Sequence, residues 1–184
     1  MSFVTVNIPV LETERLILRA LRVDDLDGFF SIYADADHAR FVSRVADRAK
    51  AFDKMCSLMG HWVLRGYGRF AVEEKSTRRF IGHVGASYLD DAREPELNYS
   101  FVPEAGGRGL ATEACFAALR YLYEVHGWQT AISEINTMNA RSLALANRMG
   151  AVKESERDAD EFGTLEIWRH LPPEEFLQYC EVAA

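Results

Sequence analysis

The chain has little cysteine: Cys56, Cys115 and Cys180 stand alone among 184 residues. They are odd in number, far apart, and form neither a CxxC pair nor a metal-ligand spacing, so a disulfide framework and an ordinary zinc module are excluded. Free thiols in a reducing compartment are the expectation. Proline is scarce too, at 5 residues, and no linker, repeat or low-complexity segment divides the sequence. No apolar run approaches the roughly 18 residues that a membrane span needs. The opening Met1–Leu16 lacks the basic and apolar regions of a signal peptide. Basic charge is also short. Lys plus Arg is 21 against 28 for Asp plus Glu, a net charge of −7, which argues against a general nucleic-acid binder. The histidines His38, His61, His83, His126 and His170 show no ligand spacing, so no metal is expected. These absences leave a cytoplasmic globular protein without a nucleic-acid or membrane partner.

What is present supports one domain over residues 1–184. Apolar residues are 48% and charged residues 27%, the mix of a chain that buries its own core. Thr13 to Leu21 reads as a first strand. Asp24 is expected to cap a helix whose face is Leu26, Phe29, Phe30 and Tyr33, at i, i+3, i+4, i+7. A second helix carries Phe52, Met55, Cys56, Met59 and Val63 and stops at Gly66. Arg69–Glu74 and Phe80–Leu89 form a hairpin across the turn Ser76-Thr77, and Glu96–Val102 is a third strand ended by Pro103. A long helix from about Arg108 to His126 follows, then a weak strand at Thr130–Asn136. A short helix from about Ala140 to Met149 ends at Gly150, and a closing hairpin surrounds the acidic loop Asp158–Glu161. The order β-αα-βββ-α-β-α-ββ describes a mixed α/β sheet domain rather than a regular alternation.

The chemistry concentrates in Val102-Pro103-Glu104-Ala105-Gly106-Gly107-Arg108-Gly109-Leu110-Ala111-Thr112-Glu113-Ala114. A strand ends at a proline, a glycine-rich turn follows, and a helix starts inside it. The first amides of a helix lack internal partners, and the helix dipole adds about half a positive charge there. Glycines let a ligand approach the backbone. The product is an anion site suited to phosphate or pyrophosphate. It is neither a P-loop, since no Lys-Ser or Lys-Thr follows, nor a dinucleotide fingerprint, since Glu113 fills the last glycine position.

This turn, the strand before it and the element order resemble the GNAT superfamily of acyl-CoA-dependent N-acyltransferases. Within it, the chain most resembles the ribosomal-protein N-terminal (alanine/serine) acetyltransferase branch. The resemblance runs from Leu11 to Leu171 and is most specific at Gly107–Ala114, at Asn139-Ala140-Arg141-Ser142, and at Asn147–Ala151. It implies a splayed central sheet in a GNAT-like domain, with acetyl-CoA as co-substrate. Backbone amides of Gly107, Arg108, Gly109, Leu110, Ala111 and Thr112 would hold the pyrophosphate. Phe101 and Val102 would offer backbone groups to the pantetheine arm, beside Asn139 and Ser142. It implies direct attack by a primary amine in a ternary complex, the acceptor being a protein N-terminus or a small molecule. Homodimer formation stays open, because many relatives dimerise.

For the base, Glu96 on the third strand is the candidate, roughly 17 Å of extended chain from Phe101. Glu73, Glu74 and His83 are weaker candidates. Ser142 is the candidate acid to the leaving thiolate, or the cap of the short helix. Tyr99 and Phe101 read as core by their side chains. Asp35, Asp37 or the Asp158–Glu161 loop would supply acidic groups to a peptide acceptor. Two positions depart from the family pattern: Gly106 replaces the usual Gln or Arg, and Ala146 the usual Tyr. They sustain an alternative reading, a non-catalytic acyl-CoA-binding regulatory module. A nucleotide- or sugar-phosphate-binding protein is the remoter one.

Overall fold

A computed structural model describes residues 5–34, 39–41, 47–87 and 94–183. The chain enters through two short strands, β1 (Leu11–Glu12) and β2 (Leu16–Arg19). The helix that follows begins differently from its expected capping. Val23–Asp25 form a 3-10 turn, and α1 covers Leu26–Ala34. Asp24 lies inside the turn; it is Asp25 that accepts from the Arg22 N–H, at 2.8 Å. Next comes α2 (Arg48–Arg65), whose Asp47 cap accepts from the Lys50 N–H at 2.8 Å. Gly66 ends it with φ +77, a left-handed conformation that only glycine adopts without strain.

Strands β3 (Arg69–Glu74), β4 (Arg79–Ser87) and β5 (Glu96–Phe101) form an antiparallel meander. The segment after Ser87, expected to extend β4 to Leu89, lies outside the described residues. The glycine-rich turn leads into α3 (Leu110–Glu124), then β6 (Ile132–Asn136), α4 (Ala140–Arg148), β7 (Val152–Asp158) and β8 (Thr164–Arg169). A last helix, α5 (Pro173–Ala183), was not expected from the sequence. All strands join one sheet in the order β1-β2-β3-β4-β5-β6-β8-β7.

Strand register assigns the two faces. Leu18, Val72, Gly82 and Phe101 form one row, and Phe70, Val84 and Tyr99 the next. These rows pack beneath α3 with Leu110, Ala114 and Ala118. The opposite face carries the rows Ala71, His83, Ser100 and Arg69, Gly85, Asn98. There α1 and α2 cover the sheet through Phe29, Ile32, Tyr33, Met55 and Leu58. The start of α1 is tied to that face by a buried guanidinium. Arg19 reaches Asp25 at 2.7 and 2.8 Å and Glu73 at 2.8 Å.

Candidate active site

The sheet is notched between β5 and β6. These strands run parallel and pair at one register position, Glu96 beside Ile132. Ile132 donates its N–H to the Pro95 carbonyl at 2.9 Å. The Ser133 hydroxyl donates to the Leu97 carbonyl at 2.8 Å and also contacts His170 Nε2 at 2.9 Å. Beyond Leu97 the strands part. Backbone groups alternate sides along a strand. Val102 donates its N–H to Ile81 on β4 at 3.0 Å. Tyr99 and Phe101 therefore turn their N–H and C=O groups into the notch. Val102 differs from its expected role: its N–H is spent on Ile81 and its carbonyl accepts from Ala105. Of the expected pair, Phe101 turns its backbone groups to the notch, and Tyr99 rather than Val102 shares that orientation.

At the end of the notch stands the glycine turn. Gly107 and Gly109 have φ of +73° and +75°. Gly109 caps α3 with no side-chain hydrogen bond, and the first intrahelical donor is Glu113, to the Gly109 carbonyl at 3.1 Å. The N–H groups of Leu110, Ala111 and Thr112 precede that bond, so they are free for an anion. A Cβ at Gly107 would meet nothing within 4 Å, so the turn is open to a ligand. Side chains brace it from behind. Glu113 accepts from the Thr13 hydroxyl at 2.5 Å and from the Arg15 N–H and Nε at 2.8 and 2.7 Å. Arg15 also donates to the Arg108 carbonyl at 2.9 Å. The Arg108 guanidinium is paired with Glu74, which places it in the bracing rather than in the anion site. The Thr112 hydroxyl lies 3.4 Å from Arg148 Nε, bringing a second cation to the helix start.

On the α3 side of the notch, Ser142 and Tyr99 meet: their hydroxyls lie 2.8 Å apart. Asn139, not Ser142, caps α4, accepting from the Ser142 N–H at 3.2 Å. Tyr99 was read as core, and the structure makes it a polar partner as well. Burial pushes its phenol well above the ordinary range, so it stays protonated and can hold the Ser142 hydroxyl. Ala146 is fully buried against Ile135 and Ala151, without a hydroxyl to give. Cys115 is buried inside α3, and burial raises its thiol pKa, which leaves it inert.

Glu96 lies on the opposite face, beside the notch. Burial pushes its pKa up to about 7, Arg69 opposes that rise, and the Glu134 charge adds to it. The Asn98 amide, 2.9 Å from Glu96 Oε1, pulls it back. The weaker candidates are engaged elsewhere: Glu73 with Arg19 and Arg78, Glu74 with Arg108, and His83 with the Tyr33 hydroxyl at 3.1 Å. Asp35 and Asp37 lie outside the described residues. Among the described residues no cluster of His, Cys, Asp or Glu is arranged to hold a metal ion.

A parted pair of strands thus leads to a helix start whose first amides suit an anion. Comparison with known proteins places this arrangement in a family. Residues 15–152 match the family model described as an acetyltransferase (GNAT) domain, and the chain belongs to that family. It is 26% identical over 152 residues to the uncharacterized N-acetyltransferase YoaA of Bacillus subtilis, covering 79% of this chain and 84% of that one. The crystal structure of an acetyltransferase from Agrobacterium tumefaciens superposes with TM-score 0.79 at 25% identity, over 93% of this chain and 99% of the other. The ribosomal-protein-S5-alanine acetyltransferase of Vibrio fischeri shares the fold, with TM-score 0.73 at 15% identity over 89% and 97% of the two chains. The protein is therefore an N-acetyltransferase of the GNAT family.

Proposed function

We propose that the protein transfers an acetyl group from acetyl-CoA to a primary amine by direct attack across the notch. The observation that carries this reading is the placement of Glu96 and the Tyr99–Ser142 pair on opposite faces of the same gap. The residues present fit the co-substrate. Open amides at the start of α3 suit its pyrophosphate, and the unpaired edge of Tyr99 and Phe101 suits amide groups in strand-like pairing. Asn139 keeps its amide –NH2 as a donor to the same arm. Acetyl-CoA, when bound, supplies an activated acyl group.

The protein's part is proton management. An α-ammonium has a pKa of about 8 and a lysine ammonium about 10.4, so an acceptor arrives largely protonated. Glu96, with its pKa raised to about 7, is matched to take that proton near neutral pH. The C–N bond would form as the C–S bond breaks, the nitrogen giving its second proton to solvent water. The Ser142 hydroxyl, which Tyr99 orients, would give a proton to the departing sulfur and regain one from water.

The first test is calorimetric titration of acetyl-CoA, beside a thiol-release assay with peptide N-termini, polyamines and amino acids. Saturable binding and turnover with one acceptor class are expected; no binding would end the reading. Gly109→Val should weaken acetyl-CoA at least about 10-fold by calorimetry, because a β-branched residue at φ +75 forces the cap to shift. Ser142→Ala should lower kcat about 10-fold or more with little change in acetyl-CoA affinity, whereas an unchanged kcat would remove Ser142 from the chemistry.

A further inference from the structure

The sheet face under α1 and α2 holds a cation that forms no ion pair among the described residues. Arg69 opens β3, in register with Gly85 and Asn98. Its Nε is shut off from solvent and has no hydrogen-bond partner. Among the described residues no carboxylate lies within ion-pair distance of it. Arg19, Arg108, Arg157 and Arg169 each sit on one or more carboxylates, so Arg69 is treated differently by the fold. Taking a guanidinium nitrogen out of water without a partner is costly, and a fold keeps such a group where something else completes it.

The surroundings add positive charge instead of cancelling it. The Lys54 ammonium on α2 lies 4.7 Å from the centre of the Tyr33 ring. Burial, then Arg69, lowers the Lys54 pKa to about 8. His83 is fully buried, and its Nδ1 is a second orphan in the same layer. The carboxylate whose field reaches Arg69 is Glu96, and burial holds it partly protonated near neutral pH. In a chain of net charge −7, this cleft is locally positive.

We propose that Arg69 receives an anionic group carried by the acceptor itself, so that the acceptor is a small amine bearing a carboxylate a few bonds away. This deepens the acetyl-transfer reading and rests on it. Arg69 and Glu96 stand two strands and two residues apart, about 12 Å between Cα atoms at ordinary sheet spacings. Long side chains at both ends close most of that span and leave room for an amino-acid-sized molecule. Gly85, between Arg69 and Asn98, lets the β3 backbone at Gly68 and Arg69 close in on β4, since a Cβ there would collide with the Gly68 carbonyl oxygen. The acceptor's carboxylate seats on Arg69, and its amine presents to Glu96 at the mouth of the notch.

The experiment uses the full chain saturated with acetyl-CoA. Thiol release is measured with a panel of amino acids, their carboxamides and the matching decarboxylated amines. The acid of a pair is expected to have at least about 10-fold higher kcat/KM. Arg69→Gln should collapse that preference by raising KM for the acid, and Arg69→Lys should restore part of it. Carboxamides or amines used as well as the acids would overturn the proposal. So would the absence of turnover by every acid while calorimetry still shows acetyl-CoA bound, which leaves the transfer reading standing. Failure to bind acetyl-CoA would instead defeat the reading beneath it. Thermal melting gives a second readout, free of activity. Arg69→Met should melt about 2–4 °C higher, since it deletes a half-buried guanidinium whose shielded Nε has no partner. A lower melting temperature would assign Arg69 to the scaffold and overturn its ligand role.

Discussion

Replacing Glu96 with glutamine should lower kcat/KM for the amine by about 10²–10⁴-fold while leaving acetyl-CoA binding intact. That range is what a positioned general base contributes. Glutamine keeps the shape and the hydrogen bond to Asn98 but cannot take a proton. The wild-type profile should rise with pH through an apparent pKa near 7, the value to which burial lifts this carboxyl. The variant should lose that rising limb. Stability supplies an independent check. A folded-state pKa above the unfolded one means that the native protein binds more protons between about pH 4.5 and 7. Glu96 therefore costs stability increasingly as pH rises through that window. Glu96→Gln should melt higher than the wild type at pH 8 and about equally at pH 4. An unchanged rate profile would show that the base lies elsewhere. An unchanged pH dependence of melting would show that Glu96 is better solvated than its place beside the notch requires.

How far the sequence displayed this site depends on whether backbone or packing makes each part. The turn was visible because its geometry needs glycine, at φ of +73° and +75° for Gly107 and Gly109. The short helix was visible because Asn139 and Gly150 punctuate it. The notch was inferred only through a family resemblance. It depends on which strands pair and where pairing stops, and nothing local in Leu97–Phe101 announces that. Tyr99 shares its alternation with Leu97 and Phe101, so spacing alone reads it as core. Its polar role appears only when α4 brings Ser142 across. Arg69–Glu74 was read as a half-buried strand with Phe70 and Val72 inward. The alternation is correct, but the second face is covered by α1 and α2. Ala71 and Glu73 are thus buried as well, and Arg69 is half-buried with its Nε shut off from solvent. Period-two reasoning separates two faces of a strand without saying that both will be covered.

The same covered face makes Asp25 a strong determinant of stability. Arg19, Asp25 and Glu73 have relative exposures of 6%, 4% and 4%. Asp25 grips Arg19 with both oxygens and accepts the Arg22 N–H, so it joins the start of α1 to β2. Removing one partner of a buried pair leaves a charge that the remaining one only partly compensates, at a cost of about 3 kcal/mol or more. At about 2–4 °C per kcal/mol for a chain of this size, Asp25→Ala should lower the melting temperature by roughly 6–12 °C. The functional signature should be selective. With its start untied, α1 covers the Glu96 face of the sheet less firmly, and Tyr33 loses its fixed position beside His83. KM for the amine should rise, whereas acetyl-CoA affinity should stay near wild type. The glycine turn is braced separately, by Thr13, Arg15, Glu74 and Glu113 on the opposite face. Equal losses at both substrates would mean that the two faces are coupled through the sheet, and the separate bracing of the turn would then be insufficient to hold it.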